Sequence, residues 1–366
     1  MQLHFNAITP ALTNIQTAFP GRSKTEIVLV LTAAAISVIP AMFFAGLLAT
    51  KIREKKIILS GFLLLTISGV LSIFTTNFIL LIALRALTGF GVGITAPFQT
   101  SIIPKYFTGY KADRLFGMQC FFASLFGMFY GVLGGWLAGI HWNFCFFIYV
   151  LGIAGIVIIQ TFLPEGDKPV AVLDTSHFRL KPSFLVLMVI LLFYAVISFS
   201  FNTNISYVLT EWKIGNSGTV GVCVALTGMG GMIAGLCYGQ IYKRLKFLVI
   251  PSGLAVVAIG FFFISTKSSL TMILFGSLLI GMSNGMIMPS CLKLAATLYN
   301  AHQSVISTAL LLSVVSLAQF ISPFASEMMK AYIGISTYQL SYVVYALFLF
   351  IFAIGTALLS KRIFSV

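Results

Sequence analysis

The chain has 366 residues, of which 59% are hydrophobic and only 8% charged, and its mean hydropathy is +1.05. Soluble domains average roughly 45–50% apolar and about 25% charged, and no globule of this size could hide so much apolar surface from water. Composition therefore excludes a water-soluble fold and makes lipid the solvent for most of the chain. The net charge of +14 would suggest nucleic acid or acidic partners on a soluble protein. Here the basic residues sit in short loops between apolar runs, where they encode membrane topology.

In chain order, Met1–Phe19 has neither the basic start nor the continuous apolar core of a signal peptide. Runs of about 20 mostly apolar residues, enough to cross a bilayer, then follow at 26–48, 57–75, 78–101, 116–140 and 143–163. A polar, proline-containing stretch over 164–183 divides the chain nearly in half. Six more runs follow it, at 184–207, 219–241, 248–266, 269–292, 303–326 and 337–359. The expected fold class is all-α integral membrane, with eleven spans in two bundles (1–163 and 184–366) joined by the 164–183 linker.

Fifteen Lys and Arg residues fall on one side of this layout, among them Lys51, Arg53, Lys55, Lys56, Lys243, Arg244 and Lys246. Five fall on the other: Arg22, Lys24, Lys213, Lys267 and Lys330. The positive-inside rule makes the first side cytoplasmic. The linker and C-terminus are then expected in the cytoplasm and the N-terminus outside. All five cysteines lie within apolar runs without a CxxC pair, so they read as packing residues.

The two halves also echo each other. Leu87–Pro97 (LTGFGVGITAP) and Leu279–Pro289 (LIGMSNGMIMP) share Gly89/Gly281, Gly93/Gly285 and Pro97/Pro289. Gly46–Lys56 and Gly235–Leu245 each place a glycine at a helix end before a basic loop. A repeat of about 190 residues implies two bundles related by an axis along the membrane normal, one of the ways secondary transporters are built.

These features resemble the major facilitator superfamily along almost the whole chain. Gly46, Leu48, Ala49, Lys51 and Lys55 fit its loop between helices two and three, with Thr50 in place of the acid and Arg53 in place of the second glycine. Arg85, Gly89, Gly91 and Gly93 fit its helix four. Gly134, Gly135 and Trp136 fit part of the helix-five motif of proton-coupled drug exporters, though Tyr130 and Gly131 replace Gly-Pro there. His141, Trp142, Asn143, Phe144 and Phe146 fit its helix-six entrance. The resemblance makes 26–48 the family's second helix, so the chain is expected to lack most of the first. It further implies a cytoplasmic gate built from Gly46, Lys51, Arg53, Lys55, Asp113 and Arg114.

Arg85 is the sharpest polar signal, because an arginine at a span centre costs about 2.5–3.5 kcal/mol on insertion scales. It must face the bundle interior, as a coupling residue beside a substrate path or as a structural arginine bonded to backbone carbonyls. Glu327 reads as a surface carboxylate near Lys330, with a proton site as the alternative. Amides inside spans need partners in lipid. Gln119, Asn202, Asn204 and Asn284 are candidates for lining a substrate cavity. Gly89, Gly93, Gly134 and Gly135 are expected to let helices pack closely. His4, His141, His177 and His302 lie apart, and no Walker loop occurs, so no enzyme is expected.

The expectation is a secondary active transporter working by alternating access, with no cofactor beyond an ion gradient of protons. It would act on a small-molecule substrate, as a monomer in the lipid of the cell membrane, without nucleic acid. Proton-coupled efflux of small amphipathic compounds is the first reading. Uptake of a small metabolite and a transport-inactive scaffold or sensor are the alternatives.

Overall fold

The structure, a computed structural model, describes residues 3–49, 51–106, 110–165, 179–266, 269–299, 301–333 and 338–364. Among them every regular element is helical. A short helical stretch opens the chain: α1 (Leu3–Ile8), a 3-10 turn (Thr9–Ala11) and α2 (Leu12–Ala18). At 1.5 Å per residue its 16 residues reach only about 24 Å, short of a bilayer's hydrocarbon core of about 30 Å.

Eleven helices or helix pairs among the described residues are long and apolar enough to cross a membrane. The first five are α3 (Lys24–Ala49), α4 (Glu54–Phe74), α5 (Phe78–Tyr106), α6 (Tyr110–Ile140), and a 3-10 segment (Trp142–Val150) that runs into α7 (Leu151–Phe162). The next six are α8 (Pro182–Glu211), α9 (Ser217–Leu236), the pair α10 (Tyr238–Leu245) and α11 (Val249–Ser265), α12 (Leu270–Leu298), α13 (Ala301–Ile333) and α14 (Tyr338–Phe364). The bulk of the 164–183 linker, residues 166–178, lies outside the described residues.

The sequence reading carried one span through to residue 241, but α9 ends at Leu236. Residues 238–245 form the separate helix α10, and Lys246 turns the chain with a φ of 49°. The reason is amphipathy. TyrGlyGlnIleTyrLysArgLeu places Tyr238, Ile241, Tyr242 and Leu245 against Val249 and Met286, with Lys243 and Arg244 on the solvent side. Such a segment lies along an interface more cheaply than it crosses one.

Two pseudo-symmetric bundles result. In the first, α3 packs on α5 and α5 on α4. In the second, α9 packs on α12 and α12 on α11. Lipid gives no hydrophobic drive between helices, so close backbone approach must hold them, and the repeated glycines supply it. A Cβ on Gly89 would strike the Ala34 carbonyl of α3, and one on Gly281 would strike the Thr227 carbonyl of α9. Gly93 meets Val38, and Gly285 meets Gly231, in the same way. Gly61 lies against Ile94, while Gly253 lies against Ile287. Each pair is separated by 192 or 193 positions, so the sequence repeat is a repeat of seams.

The two faces of the molecule are distinguished by charge. The basic face carries the connections with Lys51, Arg53, Lys55, Lys243 and Arg244, and the opposite face carries Arg22, Lys24 and Lys213.

Candidate functional site

The halves meet along two seams, α6 with α9 and α3 with α13. The α6–α9 seam is a wedge. Near the opposite face a Cβ on Gly135 would lie 2.6 Å from the Ser217 carbonyl oxygen. Farther along, a Cβ on Gly228 would lie 3.1 Å from the Ser124 oxygen, and one on Gly231 would lie 3.9 Å from Ser124 Oγ. At Gly235, the next glycine of α9 toward the basic face, nothing among the described residues stands within 4 Å.

Polar bonds between the halves follow the same gradient. Thr13 and Ser206 share a hydroxyl bond of 3.0 Å. Asn14 Nδ2 donates to Ser217 Oγ at 3.0 Å and also to the Ala138 carbonyl at 2.6 Å. Both bridges start from α2 and lie toward the opposite face. Phe5 of α1 adds a ring contact to Phe199 of α8, with centroids 6.0 Å apart. The short opening helix thus ties α6, α8 and α9 together.

The gate residues named from the sequence sit at the other end. Lys51 is exposed. Arg53 pairs with Glu165, and Lys55 Nζ donates to the Gln160 carbonyl at 2.8 Å, both within the first bundle. Gly46 has open space around it. The side chains of Asp113 and Arg114 lie outside the described residues. No bond from Lys51, Arg53 or Lys55 to the second bundle is seen among the described residues.

Arg85 is wholly buried, two turns into α5 from the opposite face. Its Nε donates to the Val30 carbonyl of α3 at 2.9 Å, and Nη1 donates to the Tyr149 hydroxyl at 2.6 Å. The guanidinium lies 5.5 Å from the Tyr149 ring centre and 5.9 Å from that of Phe146. Its Nη2 has no partner, and no carboxylate pairs with it among the described residues. Every recorded partner belongs to the first bundle. An unpaired guanidinium survives there because aromatic faces and oriented peptide dipoles replace part of its hydration.

The four amide candidates are dispersed. Gln119 is half-buried on α6, and its Nε2 donates to the Gln99 carbonyl at 3.2 Å. Asn284 is half-buried on α12. Asn202 is half-buried on α8, with its Oδ1 buried and unpartnered. Asn204 is buried, and its Nδ2 donates to Ser326 Oγ of α13 at 3.5 Å. Gly134 and Gly135 leave no room for a Cβ against Ala7 of α1 and Ser217 of α9.

Reading the sequence alone missed a cleft near the opposite face, between α3, α8 and α13. It is a narrow cleft with about 10 Å³ of room, lined by Lys24, Thr25, Val28, Asn204, Tyr207, Pro323 and Glu327. Lys24 Nζ stands 5.4 Å from the Tyr207 ring centre. Glu327 lines this cleft near the end of the apolar stretch of α13. Its placement inside the apolar run Ile306–Met329 was the available signal.

Comparison with known proteins agrees with this geometry. The family model described as Major Facilitator Superfamily matches residues 1–323. The chain is 28% identical over 250 residues to the Quinolone resistance protein NorA of Staphylococcus aureus (strain MRSA252), a match covering 65% of this chain and 62% of that protein. It is 28% identical over 124 residues to the Multidrug transporter protein MdtP of Bacillus subtilis (strain 168), covering 31% of this chain and 22% of that one. The matched region thus spans less than two thirds of these relatives. Among solved structures, a D-xylose-proton symporter superposes with a TM-score of 0.75 at 16% identity, covering 97% of this chain and 94% of that one. A bacterial homologue of the human lysosomal transporter Spinster, in an inward-facing and occupied conformation, superposes with a TM-score of 0.72 at 16% identity, covering 99% and 95%. The chain is a multi-span membrane protein that belongs to the Major Facilitator Superfamily of transporters.

Proposed function

We propose that this protein is a proton-coupled exporter of small amphipathic compounds, working by alternating access between the bodies 1–163 and 184–366, with 164–183 as their tether. The observation that carries the reading is the wedge. Among the described residues the halves are bridged by polar bonds at one face, and no such bond is seen at the other, as one half of an alternating-access cycle requires. The basic face is taken as cytoplasmic by the positive-inside rule, which makes this conformation open inward and closed outward. Export is favoured over uptake because one sequence relative is named for quinolone resistance and another as a multidrug transporter, whereas the sugar symporter shares the fold alone.

In this reading Arg85 contributes to coupling as a fixed buried charge with one unused donor. Asn202, Asn204, Gln119 and Asn284 meet substrate during the cycle. Gly46, Lys51, Arg53, Lys55, Asp113 and Arg114 clasp the halves only when the inner side closes.

The test is ethidium efflux from cells expressing the protein, with and without a protonophore. Protonophore-sensitive efflux that Arg85→Ala abolishes supports the reading. Efflux that the protonophore leaves intact refutes proton coupling. No flux of any tested compound from reconstituted vesicles favours a transport-inactive scaffold.

A further inference from the structure

The two copies of the repeated basic loop differ in how their charges are met. In the first copy Arg53 pairs with Glu165, and Lys55 Nζ donates to the Gln160 carbonyl at 2.8 Å. In the second copy Lys243, Arg244 and Lys246 are all exposed, and among the described residues none of them makes an ion pair. The chain has no Asp or Glu between Glu211 and Glu327, so α9 to α12 supply no carboxylate of their own.

The fold sets these cations side by side. At about 100° per residue, Tyr238, Ile241, Tyr242 and Leu245 share one side of α10, and Gln240, Lys243 and Arg244 take the other. The apolar side is occupied inside the protein. It packs on Val249 and Met286, and the Tyr238 hydroxyl shares a bond of 3.1 Å with Ser290 Oγ of α12. These contacts fix the rotation of α10 and turn its cationic side outward. Lys293 of α12 stands at the same end, with its Nζ 3.5 Å from the Tyr242 ring centre.

Beyond the Lys246 turn the chain runs into α11. Leu248, Ile259 and Phe262 are exposed there, and their spacing puts them along one side of the helix. In a membrane that side meets acyl chains. A cluster of unpaired cations thus stands at the head of a lipid-facing apolar stripe.

We propose that α10 and the start of α11 bind an anionic phospholipid, with Lys243, Arg244 and Lys246 holding the phosphate and an acyl chain lying along Leu248, Ile259 and Phe262. The cations need an anion, and the stripe beside them needs a hydrocarbon chain. An anionic phospholipid carries both, whereas a soluble phosphate carries only the first. Each Lys or Arg near an anionic lipid surface strengthens attraction by about fivefold. Such a site needs neither the export nor the proton coupling proposed above.

The experiment follows thermal melting of the full chain in detergent. Phosphatidylglycerol is titrated in, then phosphatidylcholine with the same acyl chains, then glycerol phosphate. A ligand that binds the folded protein raises its melting temperature as it saturates. Phosphatidylglycerol should raise it, and the other two should not. Lys243→Gln and Lys246→Gln should each increase the half-saturating phosphatidylglycerol by about fivefold. The triple variant with Arg244→Gln should increase it by about tenfold or more, and the single variants carry the test if the triple variant does not fold. Lys243→Arg with Lys246→Arg should respond as wild type. So should Lys213→Gln, which removes an exposed cation from the opposite face. Equal stabilisation by phosphatidylcholine overturns the proposal, because charge is then not read. Glycerol phosphate that matches phosphatidylglycerol overturns it in favour of a soluble anion. A wild-type response in both single variants overturns it, and so does an equal loss in Lys213→Gln.

Discussion

Replacing one glycine at a time by alanine tests whether backbone seams hold the bundles. At Gly89 the nearest obstacles to a Cβ are the Ala34 carbonyl and Ser37 Oγ, and at Gly281 they are the Thr227 carbonyl, carbon and Cα. Backbone atoms cannot rotate away, so the helices must separate. Overfilling a packed seam costs about 1–3 kcal/mol, against about 0.5–1 kcal/mol returned by removing a glycine from a helix. Gly89→Ala and Gly281→Ala should therefore each show a net loss of up to about 2.5 kcal/mol. At Gly46 and Gly235 nothing lies within 4 Å, so the same substitution keeps only the gain. Thermal melting in detergent, followed by intrinsic fluorescence, should place the two groups on opposite sides of wild type. They should stand apart by about 2 °C or more, from roughly 2–4 °C per kcal/mol. The reasoning is refuted if Gly89→Ala or Gly281→Ala melts as high as Gly46→Ala, or if the two symmetry-related positions respond with opposite signs.

Tyr149→Phe strands Arg85 Nη1 in the first bundle and should cost about 1–3 kcal/mol in the same melt; an unchanged melt would mean that another acceptor takes over. Asn14→Ala removes a bridge between the halves and should cost about 1 kcal/mol in the same melt; an unchanged melt would count against the bridge. Thr13→Cys with Ser206→Cys should crosslink under oxidation, because the two hydroxyls touch, and should block efflux until a reductant is added; efflux that continues through complete crosslinking would contradict outer opening at this point. Of Cys145, Cys223, Cys237 and Cys291, Cys237 alone is exposed. A membrane-impermeant maleimide should label it from the cytoplasmic side, and labelling in intact cells would reverse the proposed orientation.

Much of the architecture was legible before any coordinates. A span is a local property, set by twenty consecutive side chains whose transfer into lipid is favourable. The eleven apolar runs accordingly reappear as α3 to α14 with boundaries a few residues adrift. One slip, at residues 237–246, came where tyrosines and an isoleucine interleave with basic residues, a pattern that mean hydropathy blurs. The glycine repeat was legible too, because the same seam must be built twice.

What the sequence by itself determined is which segments cross, how charge divides between the faces, that Arg85 needs buried acceptors, and that one half echoes the other. Only the tertiary structure decided where each helix turns its polar side chains. These helices are apolar nearly all round, and lipid is as apolar as the bundle interior, so hydropathy does not say which face packs inward. The Val30 carbonyl and the Tyr149 hydroxyl became partners of Arg85 through packing between residues 55 and 64 positions apart. Glu327, an ordinary carboxylate near a helix end in sequence, came to line one cleft with Lys24, on a helix whose Ser326 bonds Tyr345 and Asn204. The wedge between the halves is likewise a rigid-body relation, set by contacts between residues on separate helices, which no stretch of the chain records alone.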